Sequence, residues 1–318
     1  MSGLAIVIVS YNVCHLLRRC LESIRDSQVS CSLQVYVVDN SSSDGSADMV
    51  RSEFPWVSLI ESPNRGYACG NNLALREILQ RSQSASMADA SDYVLLLNPD
   101  AWLPCGSLQA MLDFIEAHPE SGVVGPRLVR PNGELDLACR RSFPNPEVAL
   151  YRILGLSKLF PRNRRFARYN LTYLDPYAIA EVDSVVGAFM LIRTEALRQA
   201  GILDECFFMY GEDLDLAFRI KKCGWKVLYN GQVEVLHHKG QSSRQARSKA
   251  VFEFYRAMLL FYRKHYAQST RFPLNWIVVG GIYLRAALAM LENQIVGVLA
   301  YPARARRISR AGLAEWSR

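Results

Sequence analysis

The sequence holds eight cysteines, at 14, 20, 31, 69, 105, 139, 206 and 223, yet no Cys-x-x-Cys pair. That scatter fits reduced, mostly buried thiols in a cytosolic protein better than a disulfide frame or a zinc site. No basic residue precedes the apolar run 4–9, which is too short and wrongly flanked for a signal peptide, so it reads as a first strand. Ser10-Tyr11-Asn12 behind it contains no glycine. The Gly-x-Gly-x-x-Gly of a nicotinamide-binding unit is therefore missing, and so is the Gly-rich, basic loop with which a sugar nucleotidyltransferase would hold a triphosphate. An unbroken apolar stretch is missing too, because residues 276–301 are interrupted by Arg285, Glu292, Asn293 and Gln294. An Arg near the middle of a span costs on the order of 2.5–3.5 kcal/mol, so an interfacial helix or helical hairpin is expected there.

What is present is a globular composition. With 318 residues, 50% hydrophobic and 21% charged, the chain can bury one large or two modest cores. Its net charge of +7 is gathered in three groups: Arg162, Arg164, Arg165 and Arg168; Lys239, Arg244, Arg247 and Lys249; and Arg304, Arg306, Arg307 and Arg310. Such patches attract phosphates, whether of nucleic acid, an anionic membrane or a lipid diphosphate, although any single group also reads as a solvated face.

The organising stretch is residues 92–100. Five apolar residues in a row, Tyr93 to Leu97, predict a strand buried on both faces of a parallel α/β sheet. Pro99 stops it, so Asn98 and Asp100 emerge past the carboxyl end, where open α/β sheets bind ligands. Two oxygen-bearing side chains there suit Mg²⁺ or Mn²⁺ carrying a diphosphate, while Asn-Pro-Asp alone is also an ordinary turn. Residues 33–40 form a second strand ending at Asp39, placed either for a ribose hydroxyl or base N–H, or to cap the helix that runs to about Phe54. A third strand, 57–61, leads into Asn64 to Asn72, whose Gly66 and Gly70 permit positive φ or close backbone approach before a helix through Leu73 and Leu79.

Further on, a helix over 107–117, a strand at Val123-Val124 and a turn at Pro131-Asn132-Gly133 are expected. Residues 140–180 read as a long excursion that could border an acceptor site. Residues 182–192 read as a strand interrupted by Gly187. Residues 204–215 pack five acids among aromatics, and a helix beginning near Glu212 puts Glu212 and Asp213 in its first turn. The helix dipole alone favours acids there, and it also keeps a carboxylate ionised, as a general base requires. A last strand, 233–236, ends in His237-His238, and 250–266 reads as an amphipathic helix.

Taken in order, Val9-Ser10-Tyr11-Asn12, Val38-Asp39-Asn40-Ser41 to Gly45-Ser46, Asn64-x-Gly66 to Asn71-Asn72, Leu97-Asn98-Pro99-Asp100, Gly187-Ala188-Phe189, Asp204-Glu205 to Asp215-Leu216 and His237 ahead of Gly240 and Ser242 resemble the nucleotide-sugar glycosyltransferases of family 2. The likeness is greatest to bacterial rhamnosyltransferase-type members and covers roughly residues 4–245. It implies an α/β fold of GT-A type: a single nucleotide-binding domain over 1–245 with a mainly parallel sheet, then a basic helical extension over 246–318. It places Ser10, Asn12, Asp39, Asn64, Gly66, Asn71, Asn98 and Gly187 on the nucleotide donor. Asp100 would hold the divalent cation, and His237 would be a further ligand or diphosphate contact, with His238 as its alternative. Asp213 would be the base that deprotonates the acceptor hydroxyl for inverting attack, with Phe208, Tyr210 and Glu212 on the acceptor side. Asn98-x-Asp100 stands where many GT-A enzymes have Asp-x-Asp.

The implied reaction moves a sugar, L-rhamnose from its thymidine diphosphate donor being the expectation, onto a lipid-linked or polysaccharide acceptor in cell-envelope glycan synthesis. The implied place is the cytoplasmic face of the membrane, held peripherally on its anionic surface, with no nucleic acid as partner. A sugar nucleotidyltransferase is the rival enzyme class. A non-enzymatic anion- or membrane-binding protein is the other rival, and it leaves the acids at the strand ends without a purpose.

Overall fold

The computed structural model describes residues 3–84, 91–238 and 247–315. Strand β1 (Gly3–Ser10), all eight residues buried, is followed by helix α1 (Cys14–Arg25), β2 (Ser32–Asp39), α2 (Ser46–Glu53), β3 (Ser58–Glu61) and α3 (Tyr67–Ser84). Then come β4 (Tyr93–Leu97), β5 (Ala101–Trp102), α4 (Ser107–Ala117) and β6 (Ser121–Val129). The next segment carries the short helices α5 (Pro146–Ile153) and α6 (Leu156–Leu159) and leads to β7 (Ile179–Val182), β8 (Phe189–Arg193), α7 (Thr194–Ala200), α8 (Glu212–Lys222) and β9 (Lys226–His237). Two helices complete the chain, α9 (Arg247–His265) and α10 (Leu274–Glu315).

The nine strands form one sheet in the order β3-β2-β1-β4-β8-β6-β9-β5, with β7 also against β9. Parallel pairing joins β3 to β2, β2 to β1, β1 to β4 and β6 to β9, and β8 runs antiparallel between β4 and β6. The chain walks outward from β1 to β3 and then returns through α3 to β4 on the other side of β1. The order reverses between β1 and β4, which places a crevice at the ends of Ser10 and Leu97. All five residues of β4 are buried, as the apolar run requires.

Several sequence expectations are corrected. Residues 182–192 are two strands, because β7 pairs β9 and β8 pairs β4, so the chain changes neighbours between them. The last strand begins at Lys226 and not Val233. Asn71 and Asn72 lie inside α3, which starts at Tyr67, six residues before Leu73; the Tyr67 N–H finds its partner outside the helix, at the Phe208 carbonyl, 2.7 Å away. The excursion over 140–180 contains α5, whose Asn145 side chain accepts from the Val148 N–H at 2.9 Å with Pro146 at the first helical position. Only Cys20 and Cys139 of the eight free thiols are buried. The 276–301 segment is one continuous helix, and the hairpin is made with α9 instead. Lys239, Gly240, Ser242, Arg244 and the expected domain boundary at 245/246 lie outside the described residues.

The principal core fills both faces of the sheet. A second cluster, Phe207, Leu214, Ala257 and Phe261, fastens α9 to α8, and a third, Tyr262, Val278 and Ile282, fastens α10 to α9. Tyr262 Oη donates to Asn275 at 2.8 Å and Asn293 Nδ2 donates to Ser248 Oγ at 2.8 Å, so α9 and α10 lie antiparallel. Residues Leu274–Gln294 are long and apolar enough to cross a membrane, and only 11% of that window is buried.

Candidate active site

The carboxyl ends of β1 and β2 present buried oxygens with no partner among the described residues: Ser10 Oγ, Asp39 Oδ1, Asn40 Oδ1 and, from the first turns of α3, Asn71 Oδ1. An unpaired buried polar atom is expensive, so four together mark a surface meant to be covered by a hydrogen-bonding ligand. The Asp39 Oδ2 is already taken by the Ser42 N–H at 2.8 Å, which aims Oδ1 outward from that turn. Asn12, at φ +51°, accepts from the Ser43 N–H at 2.7 Å and so ties the β1–α1 loop to the β2–α2 loop. Asn64 accepts from the Gly66 N–H at 3.1 Å. Gly66 has φ +102° and a Cβ there would meet the Phe208 carbonyl oxygen at 2.3 Å, so only glycine lets the segment around Phe208 dock. Asn12, Asn64 and Gly66 thus shape this end of the crevice, where Ser10, Asp39 and Asn71 keep buried oxygens without a partner among the described residues.

Asp100 leaves the end of β4 next to β9. Its Oδ1 lies 3.4 Å from His237 Nε2, and His237 Nδ1 lies 3.0 Å from Asp136 Oδ2. All three are at least 95% buried. Burial works against a charged His237, but hydrogen bonds to Asp100 and then Asp136 outweigh it and push its pKa up to about 9. His238 points the other way and stacks on Trp102, ring centroids 3.8 Å apart, as the alternation of a strand demands. Asn98 is held through its backbone, with N–H donated to the Ala188 carbonyl at 3.0 Å, which joins the ends of β4 and β8.

Glu212 and Asp213 open α8 behind Gly211, at φ +82°. Asp213 is clamped: its Oδ2 accepts from Arg141 Nη2 at 2.8 Å and the Gly187 N–H at 3.0 Å, and its Oδ1 accepts from the Leu214 N–H at 2.7 Å. Glu212, in contrast, keeps a buried Oε2 with no partner. Burial, then the adjacent Asp213 charge, push the Glu212 pKa up to about 8, with Arg141 pulling the other way. Tyr67 stands among these groups, its hydroxyl donating to the Gly187 carbonyl at 3.0 Å, and burial followed by the charges of Glu212, Asp213 and Asp100 pushes that phenol well up. Phe208 lies under the Lys249 ammonium, 4.1 Å from the ring centroid, and Tyr210 at φ +69° meets Phe254 edge-on.

The other acids of the cluster do not face this crevice. Glu205 bonds Asn72 and Arg76, Asp204 bonds Lys264 at 2.5 Å, and Asp215 bonds Arg219, Lys264 and His265. Tyr67, Asp136 and Arg141 are the residues that sequence reasoning missed. Each meets its partner across a long loop, with 120, 101 and 72 residues between the bonded positions, so no local pattern announces them.

The arrangement brings unsatisfied acceptors, a carboxylate–histidine–carboxylate unit and a buried acid pair to the ends of the strands. The profile of glycosyl transferase family 2 matches residues 5–200. The chain is 29% identical over 291 residues, 91% of it and 94% of the relative, to the N-acetylglucosaminyl-diphospho-decaprenol L-rhamnosyltransferase of Mycobacterium tuberculosis. It is 26% identical over 258 residues, 80% of it and 73% of the relative, to the low-salt glycan biosynthesis hexosyltransferase Agl10 of Haloferax volcanii. Its fold is shared with a mannosyltransferase of Pyrobaculum calidifontis, solved in complex with GDP-Man and Mn²⁺, at a TM-score of 0.54, 18% identity and coverage of 99% of this chain and 81% of that one. The chain belongs to glycosyl transferase family 2 and is a glycosyltransferase of GT-A fold.

Proposed function

We propose that this enzyme transfers L-rhamnose, with inversion, from a thymidine diphosphate donor to a sugar carried on a lipid diphosphate, at the cytoplasmic face of the membrane. The observation that carries the reading is the set of groups at the strand ends: unpartnered oxygens of Ser10 and Asp39 suited to a nucleoside, the Asp100–His237–Asp136 unit suited to a diphosphate, and the Glu212–Asp213 pair. The full-length match to a rhamnosyltransferase whose name specifies a diphospho-decaprenol acceptor supports the sugar and the acceptor class.

The residues fit a divalent cation. Among the described residues no group of three or more His, Cys, Asp or Glu stands ready for a metal, so the chain would supply two ligands, Asp100 and His237 Nε2, and leave the remaining positions to phosphate oxygens and water. Mg²⁺ and Mn²⁺ at diphosphates are held in that way. Asp136 on Nδ1 fixes the ring so that Nε2 faces Asp100, the usual outer-shell support for a ligating histidine. The cation, when bound, neutralises charge that grows on the leaving diphosphate.

Asp39 accepts hydrogen bonds from the nucleoside, and the backbone turns at Asn12, Asn64 and Gly66 set the distance between nucleoside and sugar. Asp213, held in place by Arg141, takes the proton from the acceptor hydroxyl as its oxygen attacks the anomeric carbon from the face opposite the diphosphate. A second reading exchanges the acids: Glu212 has the free buried oxygen and a pKa of about 8, close to what a base working near neutral pH needs. Incubation with a panel of nucleotide sugars and diphospholipid-linked acceptors, followed by determination of the anomeric configuration, tests the assignment. A transferred sugar with retained configuration, or transfer only to acceptors without a lipid diphosphate, would overturn it.

A further inference from the structure

Away from the crevice, the excursion after β6 folds Arg164, Arg165 and Arg168 around an open cavity of about 540 Å³ that Glu147, Val148 and Tyr173 complete. Its one acid is already committed, since Glu147 accepts from Arg165 at 2.9 Å and from the Tyr151 hydroxyl at 2.6 Å. Among the described residues, no carboxylate lies within ion-pair distance of Arg164 or Arg168. Two planar forks converging on an open cavity are suited to a multiply charged oxyanion.

The surroundings narrow the choice of oxyanion. Close along the chain to the arginines, apolar side chains are exposed: Leu154 at 61%, Leu159 at 70% and Phe160 at 45%. The helix that carries Glu147 and Val148, α5, packs on α10 with its exposed apolar stretch. On the other side the cavity is tied to the catalytic end. The Ser142 N–H donates to the Tyr169 carbonyl at 2.8 Å, and Ser142 follows Arg141, which grips Asp213. Arg152 of α5 lies over Tyr169 and Phe254, and Phe254 meets Tyr210, two residues before Glu212. A ligand seated here is charged in the middle, apolar at one end and directed towards the acid pair at the other.

We propose that this cavity seats the diphosphate of an isoprenyl-diphosphate-linked acceptor, with Arg164 and Arg168 on its oxygens and the isoprenyl chain leaving over Leu154, Leu159 and Phe160 towards α10. The inference rests on the lipid-linked-acceptor reading and names the residues that would recognise that acceptor.

Geranyl diphosphate, which carries no sugar and needs neither donor nor membrane, is titrated calorimetrically into the full chain and into the double variant Arg164→Gln, Arg168→Gln. Both side chains are exposed, so thermal unfolding of the variant is expected to match the parent. Affinity should fall at least about tenfold in the variant, given what hydrogen bonds to charged groups are worth. Inorganic pyrophosphate should bind the parent more weakly than geranyl diphosphate. Equal affinity of parent and variant for geranyl diphosphate overturns the proposal, and so does a variant that loses only binding to phosphatidylglycerol vesicles, which would make the arginines a headgroup site. Pyrophosphate binding as tightly as geranyl diphosphate overturns the part given to the apolar rim. Failure of every nucleotide sugar to yield product, with geranyl diphosphate binding lost in the variant, would instead reject the transfer reaction and leave the cavity assigned.

Discussion

At the scale of single residues, the division of labour between Asp213 and Glu212 is the sharpest question, because the two acids are adjacent, equally buried and oppositely treated. Asp213 has three donors and Glu212 has an oxygen with none. Asp213→Asn keeps size and most of the hydrogen-bond geometry but removes the charge, so turnover should drop by about 10²–10⁴, the usual worth of a general base, with donor affinity held. Turnover within about tenfold of the parent in single-turnover kinetics would give the role to Glu212. The pH profile separates the two independently. A base acts only when deprotonated, so if Glu212 serves, kcat/KM rises through pH about 8 and Glu212→Gln abolishes it. If Asp213 serves, Glu212→Gln leaves turnover and removes any inflection near that pH. Asp100→Ala belongs to the same scale: it takes away the one carboxylate facing His237 Nε2, and donor affinity measured by calorimetry should become weak and indifferent to EDTA. Affinity that stays strong and EDTA-insensitive in the parent would contradict the cation altogether.

At the scale of elements, Asp215 shows how an acid from the same cluster serves the fold. It is fully buried in α8 and is reached by Arg219 at 2.9 Å, Lys264 at 2.8 Å and His265 at 2.7 Å, the last two at the end of α9. Burial alone would raise its pKa; the bonds from His265 and Lys264 and the Arg219 charge reverse that and bring it to about 2. Because the folded value lies below the ordinary 3.8, the stabilisation is present above that pH and is lost as pH falls through about 2. Asp215→Asn leaves Arg219 without its carboxylate and Lys264 with Asp204 alone, and should cost about 1–3 kcal/mol, read as a lower melting temperature at pH 7 whose gap to the parent closes towards pH 2. Element by element, the fold was legible where burial is simple. The apolar run of β4 needed no tertiary knowledge, and Asn98 and Asp100 followed from where Pro99 must stop it. Elements whose limits are set by a distant partner were not legible: α3 starts at Tyr67 because Phe208 accepts its N–H, and β7 and β8 separate because they have different neighbours. The positions of Ser10 and Asp39 were readable for the same reason as β4, since both end strands. Arg141 and Asp136 act through side chains that only the closed sheet brings to Asp213 and His237. Helix α5 is a different case, with Asn145-Pro146 a plain start signal obscured by an Arg-, Pro- and Tyr-rich composition.

For the molecule as a whole, the question is how it would meet the lipid-linked acceptor proposed for it. Residues Leu274–Gln294 could cross a bilayer by length and composition. Yet α9 runs antiparallel along that whole stretch, joined at Ser248–Asn293 and Tyr262–Asn275, with Val278 fully buried and Ile282 at 3% exposure in the seam. A span would drag the Lys249, Glu253, Arg256, Arg263 and Lys264 side chains of α9 into hydrocarbon with it, or would first have to tear the seam open. Lying flat requires neither. Trp276, Ile277, Tyr283, Leu284, Leu288 and Leu291 are already exposed and can enter the interface while α9 stays on the protein side. Basic residues near an anionic surface then add about 1 kcal/mol each, an attraction that salt screens over a Debye length of about 10 Å at 0.1 M. The protein should therefore co-sediment with anionic vesicles at low salt, release as salt is raised, and bind less after removal of the arginine-rich residues 302–318. Protein that stays in solution at low salt would make α10 a cap for α9 and nothing more. Protein released by detergent alone, at any salt, would mean that the seam opens and that Leu274–Gln294 spans.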